Sequence, residues 1–256
     1  MGELTKLGFE IEFLTKKTRE ELLSSLSEAL YNGDKTKWQY ARVIVDGEEK
    51  KRYFINDRDG NRFYIVTDKS CKGREDEVGY ELVCPPIFTF DYKSRYKNPY
   101  KVLCTLLSVL IDNGCFVNET CGIHVHLDAP KDGKILVGWI RTVLHIQGNI
   151  RYNFGISDYR ILKYCKLLPV EFNRKFEKLA LRRDQNIPIE EMVLLYHDIL
   201  SEGVKNWRDP KHPSRYYLIN LNSLYIRNTV ELRWFNSSLS IYTIHQYIDY
   251  IKSHFY

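Results

Sequence analysis

The chain has no C-x-x-C pair, no long apolar run, no glycine-rich phosphate loop and no low-complexity tract. Each lack excludes a class of protein. The six cysteines, Cys71, Cys84, Cys104, Cys115, Cys121 and Cys165, have no paired spacing, and several lie in apolar surroundings. They read as reduced, mostly buried thiols and not as a disulfide framework, which a chain of 256 residues does not need. The longest apolar stretches, such as 102–111, are too short and too interrupted to span a bilayer. Residues 1–6 hold no apolar core of signal-peptide length, and Lys6 stands where myristoylation wants Ser or Thr. A soluble, cytoplasmic protein is the expectation. The missing P-loop and dinucleotide fingerprint exclude those nucleotide folds. The missing Pro-, Gly- or Ser-rich linker predicts one domain over 1–256. A net charge of +5, with Lys and Arg interspersed among acids, suits an anionic ligand but gives no basic stripe for nucleic acid.

What the chain does have is a repeated two-residue spacing of polar groups. Gly8-Phe9-Glu10-Ile11-Glu12-Phe13 lies near the start. Cys121-Gly122-Ile123-His124-Val125-His126-Leu127-Asp128 lies in the middle, and Thr229-Val230-Glu231-Leu232-Arg233-Trp234-Phe235 near the end. In a strand, residues i and i+2 share a face. Each segment therefore turns two ligand-type side chains one way and apolar residues the other. Three such strands in one sheet would gather Glu10, Glu12, His124, His126, Glu231 and Arg233 on one surface.

The remaining pattern predicts an α+β fold. Strands are expected at 7–14, 38–45, 51–56, 62–67 and 80–83, the last stopped by Pro85-Pro86, with turns at Asp46-Gly47 and 57–61. Further strands are expected at 116–118 and 122–127, and 216–226 with 229–235 reads as a hairpin. Thr18-Arg19-Glu20-Glu21 has capping-box spacing for a helix ending at Asn32-Gly33. Helices follow at 100–113, closed by Gly114, at 134–149 and at 241–254. A mainly helical segment spans about 158–200, broken near Pro169 and Pro188.

Two readings stand open for each polar pair. Glu10 and Glu12 are either an exposed strand face or two carboxylates that need a cation between them. His124 and His126 suit either a zinc hydrolase or a phosphate contact. The other five histidines, His145, His197, His212, His245 and His254, show no ligand spacing. Carboxylates, Glu81 among them, outnumber imidazoles, which favours magnesium or manganese over zinc. Glu231 and Arg233 are either a salt bridge within the sheet or a metal carboxylate beside a phosphate-binding guanidinium. Asp68 and Ser70 are turn formers or substrate contacts.

In order along the chain, these pieces resemble the amidoligases of the carboxylate-amine ligase superfamily, whose better-known members are glutamine synthetase and glutamate-cysteine ligase. The matching segments are Gly8-Phe9-Glu10-Ile11-Glu12, Val66-Thr67-Asp68-Lys69-Ser70, Gly79-Tyr80-Glu81-Leu82-Val83-Cys84-Pro85-Pro86, Asn118 with 121–128, Arg215-Tyr216, Asn220, and Asn228-Thr229-Val230-Glu231-Leu232-Arg233. Lys69 departs from the family's usual Gly, and Cys84 from its usual Ser.

The resemblance implies a glutamine synthetase-like curved antiparallel sheet, with helices on its convex side and ATP and divalent ions on its concave face. It implies Glu10, Glu12, Glu81, His124 and Glu231 as metal ligands and His126 as a nucleotide-phosphate contact. Arg233 and Arg215 become the cations that meet the transferring phosphate or the substrate carboxylate, and Asp68 and Ser70 become substrate-side residues. The expected activity is an ATP- and Mg2+- (or Mn2+-) dependent ligase. It would join an amino-acid, peptide or protein carboxylate to an amine through an acyl phosphate, as a monomer or small homo-oligomer. The competing expectations are a zinc hydrolase using His124 and His126, and a non-catalytic nucleotide- or peptide-binding relative.

Overall fold

A computed structural model describes residues 6–45, 48–89, 98–183, 187–201, 203, 204, 206, 209 and 212–256. The expected Asp46-Gly47 turn lies outside them. In chain order the elements are β1 (Lys6–Thr15), α1 (Arg19–Leu30), β2 (Trp38–Val45), β3 (Glu48–Asn56), β4 (Arg62–Thr67), β5 (Val78–Thr89), α2 (Asn98–Asp112) and β6 (Gly122–Asp128). There follow α3 (Gly133–Ile146), α4 (Ile150–Phe154), α5 (Asp158–Lys163), α6 (Val170–Arg182), α7 (Ile189–Leu200), β7 (Ile219–Asn220), α8 (Ser223–Arg227), β8 (Thr229–Asn236) and α9 (Ile241–Phe255). Helix and strand are thus mixed, as the α+β reading expects. No helix among the described residues is long and apolar enough to cross a membrane.

The chain divides into two compact units, Met1–Ile123 with Asn236–Asp249, and His124–Phe235 with Tyr250–Tyr256. In the first, the strands run in the order β2-β3-β4-β5-β1, every neighbour antiparallel. Every residue of β1 except Lys6 is buried. The exposed-face reading of Glu10 and Glu12 is therefore excluded. The Thr18 hydroxyl caps α1 by accepting the Glu21 N–H, while the Glu21 carboxylate accepts the Thr18 N–H at 2.7 Å. Asn32 and Gly33, at φ 53° and 98°, turn the chain out of the helix.

One expectation fails informatively. Pro85-Pro86 does not stop β5, which runs on to Thr89. Pairing with β4 has its last partner at Val83, and the β1 register slips there: Phe9 faces Cys84 but Leu7 faces Phe88. The prolines fall in that bulge, where no ladder N–H is required. Likewise only Phe116 of 116–118 pairs, with Leu14.

In the second unit the strand order is β6-β8-β7. The expected hairpin arm 216–226 is mostly not strand. Residues Pro213–Tyr216 form a 3-10 turn, two residues make β7, and α8 intervenes. Asn228, at φ 55°, ends α8 in the left-handed conformation that Asn tolerates and returns the chain to β8. The helical segment resolves into α5, α6 and α7, with Pro169 and Pro188 as the residues preceding α6 and α7. The helix expected at 134–149 ends at Ile146, and a 3-10 turn and α4 follow. α7 reaches the sheet through Tyr196, whose buried hydroxyl lies 2.6 Å from the Ser214 carbonyl and 2.5 Å from that of Ile219. That contact fixes β7, and with it Asn220.

Candidate active site

In the first unit, Glu10 and Glu12 are 6% and 4% exposed on one face of β1. The register sets Glu12 directly opposite Glu81 and Glu10 opposite Val83, so Glu81 on β5 shares that face. A Glu12 carboxylate oxygen accepts the Gly122 N–H at 2.6 Å, and the Ser237 hydroxyl donates to the Glu12 carbonyl. Both bonds hold this stretch of β1 in place.

Asp68 stands at the end of β4, where its carboxylate accepts the Ser70 N–H and hydroxyl, each at 2.7 Å. This is an Asx turn that rigidifies the segment. Its backbone N–H donates to the Gly79 carbonyl at 2.9 Å. A Cβ at Gly79 would come within 2.4 Å of the Asp68 carbonyl and 2.5 Å of the Cys71 Cβ, so only glycine lets the turn lie this close to β5. Ligand-type atoms of Glu12, Asp68 and Cys71 lie within 4.8 Å of one another. A hydrogen bond with Cys121, then burial, then the Glu12 charge push the Cys71 thiol far up, so it stays protonated. Cys84 on β5 is also held protonated, by burial first and then by the charges of Glu81 and Glu10.

In the second unit, Glu231 on β8 is the hub. It is 4% exposed. Asn220, its register partner on β7, donates from Nδ2 to Oε2 at 2.6 Å. Arg233 Nη1 donates to Oε1, and His124 Nδ1 lies 3.5 Å from the same oxygen. Arg233 also donates from Nε to the Tyr164 carbonyl at 3.4 Å. The Tyr216 ring is shared by two cations, with the Arg215 guanidinium carbon 5.4 Å and that of Arg233 6.0 Å from its centre.

His126 is held at both ring nitrogens. Nδ1 lies 2.9 Å from the Thr229 hydroxyl, and Nε2 lies 3.2 Å from Arg227 Nη1. A guanidinium can only donate, so Nε2 accepts and the proton of a neutral ring sits on Nδ1, directed at Thr229. Arg227 is a functional candidate that the sequence did not single out. It ends α8, at a position expected to be the turn of the hairpin 216–226 and 229–235, so no spacing signalled it. Asn220 belonged to the family pattern, but its bond to Glu231 depends on a strand pairing that periodicity does not reveal.

Arg160 of α5 was likewise unforeseen. It is 1% exposed, its Nη2 reaches only the Phe235 carbonyl at 3.5 Å, and its Nε and Nη1 have no hydrogen-bond partner.

The decisive comparison is with protein families. The model described as "Putative amidoligase enzyme" matches residues 3–253. The chain belongs to that family. No curated protein and no solved structure shows significant similarity to it. Membership covers both units, and with them every residue that the resemblance implied, from Glu10 to Arg233.

Proposed function

We propose that this amidoligase joins a carboxylate to an amine at the expense of ATP. The observation that carries the reading is Glu12 opposite Glu81 with Glu10 on the same face, in a chain of the amidoligase family. Opposed carboxylates in a buried sheet repel, and a divalent cation relieves that repulsion. The donor set is hard oxygen, which fits magnesium or manganese. Glu10, Glu12, Glu81, His124 and Glu231 are the residues that would hold ions. Bound magnesium would neutralise charge on the nucleotide phosphates.

A substrate carboxylate oxygen attacks the γ-phosphorus, the bond to the bridging oxygen breaks, and ADP leaves with its electron pair. The amine nitrogen then attacks the acyl carbon, phosphate departs, and the amine proton is released. Arg233 and Arg215 would meet the transferring phosphoryl group or the substrate carboxylate. His126 would face the nucleotide phosphates with Arg227, and the Asp68–Ser70 turn would border the acid substrate. The fold proposed for this chemistry is the glutamine synthetase-like one, as a single catalytic domain with a curved sheet. A His-x-His zinc site has weaker support, because both nitrogens of His126 already have partners.

The test is ADP release from ATP and Mg2+ across a panel of acids and amines. Glu231→Gln is expected to lower turnover by roughly 10²–10³. Full activity in that variant refutes the assignment.

A further inference from the structure

β3 and β4 pair only over Phe54–Asn56 and Arg62–Tyr64 (three residues on each strand), while β3 is paired with β2 from Glu48 to Ile55. The β2–β3 hairpin therefore departs from β4 and opens a cleft of about 590 Å³ within the first unit. Five of its ten lining residues are cations, Arg19, Lys50, Lys51, Arg52 and Lys69, and none is acidic. Glu49 on β3 pairs with Arg42 at 3.2 Å. Arg19 is held by Thr67 and lies 4.9 Å from the Tyr53 ring, yet its Nε is buried without a hydrogen-bond partner. A concave surface lined by cations draws an anion toward it.

We propose that this cleft binds a carboxylate-rich ligand, a short run of acidic residues, and serves as the anchoring subsite of the acid substrate. Its volume lies in the range of ligand pockets. The cations share the lining with Val43, Ile65, Val66 and the Tyr53 ring, which suit the methylene arms of acidic side chains better than bare polyphosphate. The cleft also leads toward the carboxylate row. Val66 in its wall is the register partner of Glu81, itself opposite Glu12, and Lys69 sits inside the Asp68–Ser70 turn. The substrate role rests on the ligase reading, whereas binding itself does not.

The experiment measures fluorescence anisotropy of a dye-labelled pentaglutamate with blocked ends, without ATP or metal, against wild-type protein, K51E/R52E, K69E and Glu231→Gln. Saturable binding is expected that weakens roughly tenfold or more in K51E/R52E, weakens less in K69E, and is unchanged in Glu231→Gln. Tripolyphosphate should compete only at higher concentration than unlabelled pentaglutamate. No saturable binding, equal affinity in K51E/R52E, or stronger competition by tripolyphosphate overturns the proposal. Because no turnover is read, a failed ligase assay leaves this result standing, and lost peptide binding leaves the ligase reading intact. Both exchanged side chains of the double variant are exposed, and its thermal melt separates lost binding from lost fold.

Discussion

The two units treat buried carboxylates differently. On β1 and β5, Glu12 meets Glu81 across the register, and Asp68 and a protonated Cys71 lie beside it. On β8, Glu231 is surrounded by donors: Asn220 on one oxygen, Arg233 and His124 at the other. The second arrangement carries its own countercharge. In the first, carboxylates face one another across the register, a geometry that suits a cation. A carboxylate's burial therefore says little about its role until its nearest neighbours are known.

The largest expected effects test that contrast through turnover. Glu12→Gln and Arg233→Ala should each lower ADP release by roughly 10²–10³. Raising Mg2+ should partly rescue Glu12→Gln and leave Arg233→Ala unchanged. Equal rescue of both would erase the distinction between an externally and an internally neutralised carboxylate. Next comes metal linkage: Mg2+ should raise the Tm of the wild type by a few degrees, roughly as expected for an ion that binds only the folded state, and Glu10→Gln should abolish the rise.

Acid sensitivity should come from the second unit. His197 on α7, buried near His212, has its pKa lowered to about 4, by burial first and then by His212. The unfolded chain takes up that proton below about 6.5 while the folded chain does not, so stability present at pH 7 is lost as pH falls toward 4. The Tm of His197→Gln should fall less steeply across that window, whatever its value at pH 7. An unchanged slope would mean that this imidazole does not set the response. The smallest effect is local to the first unit. Thr18→Ala removes the α1 cap and should cost about 1 kcal/mol in urea unfolding, with turnover unchanged.

Local chemistry was legible in the sequence, and pairing was not. The alternation around Glu10 and Glu12, the Thr18 capping box and the helix end at Gly114 rest on neighbours a few residues apart, and each is found in place. Pro85-Pro86 misled because a bulge tolerates prolines, and this one shows only in the register, where two steps along β1 are matched by four along β5. The stretch 216–226 misled because its apolar residues fit a strand as well as a short helix, and Asn228 decides between them. The Glu231 hub was half visible. Arg233 sits two residues away, whereas Asn220 arrives through pairing and His124 from a distant strand. Arg227 and Arg160 gave no signal, because a cation in a helix has no spacing that marks a partner on another element.

The buried thiols offer a consequence of another kind. Cys84 on β5 and Cys165 after α5 are both buried thiols, one in each unit, at 4% and 0% exposure. A thiol reagent can reach either only when its surroundings come apart, so the modification rate of each reports how often its own unit opens. Read by mass spectrometry on intact protein, the two sulfurs act as separate stopwatches, and their ratio would tell whether the units breathe together or on schedules of their own.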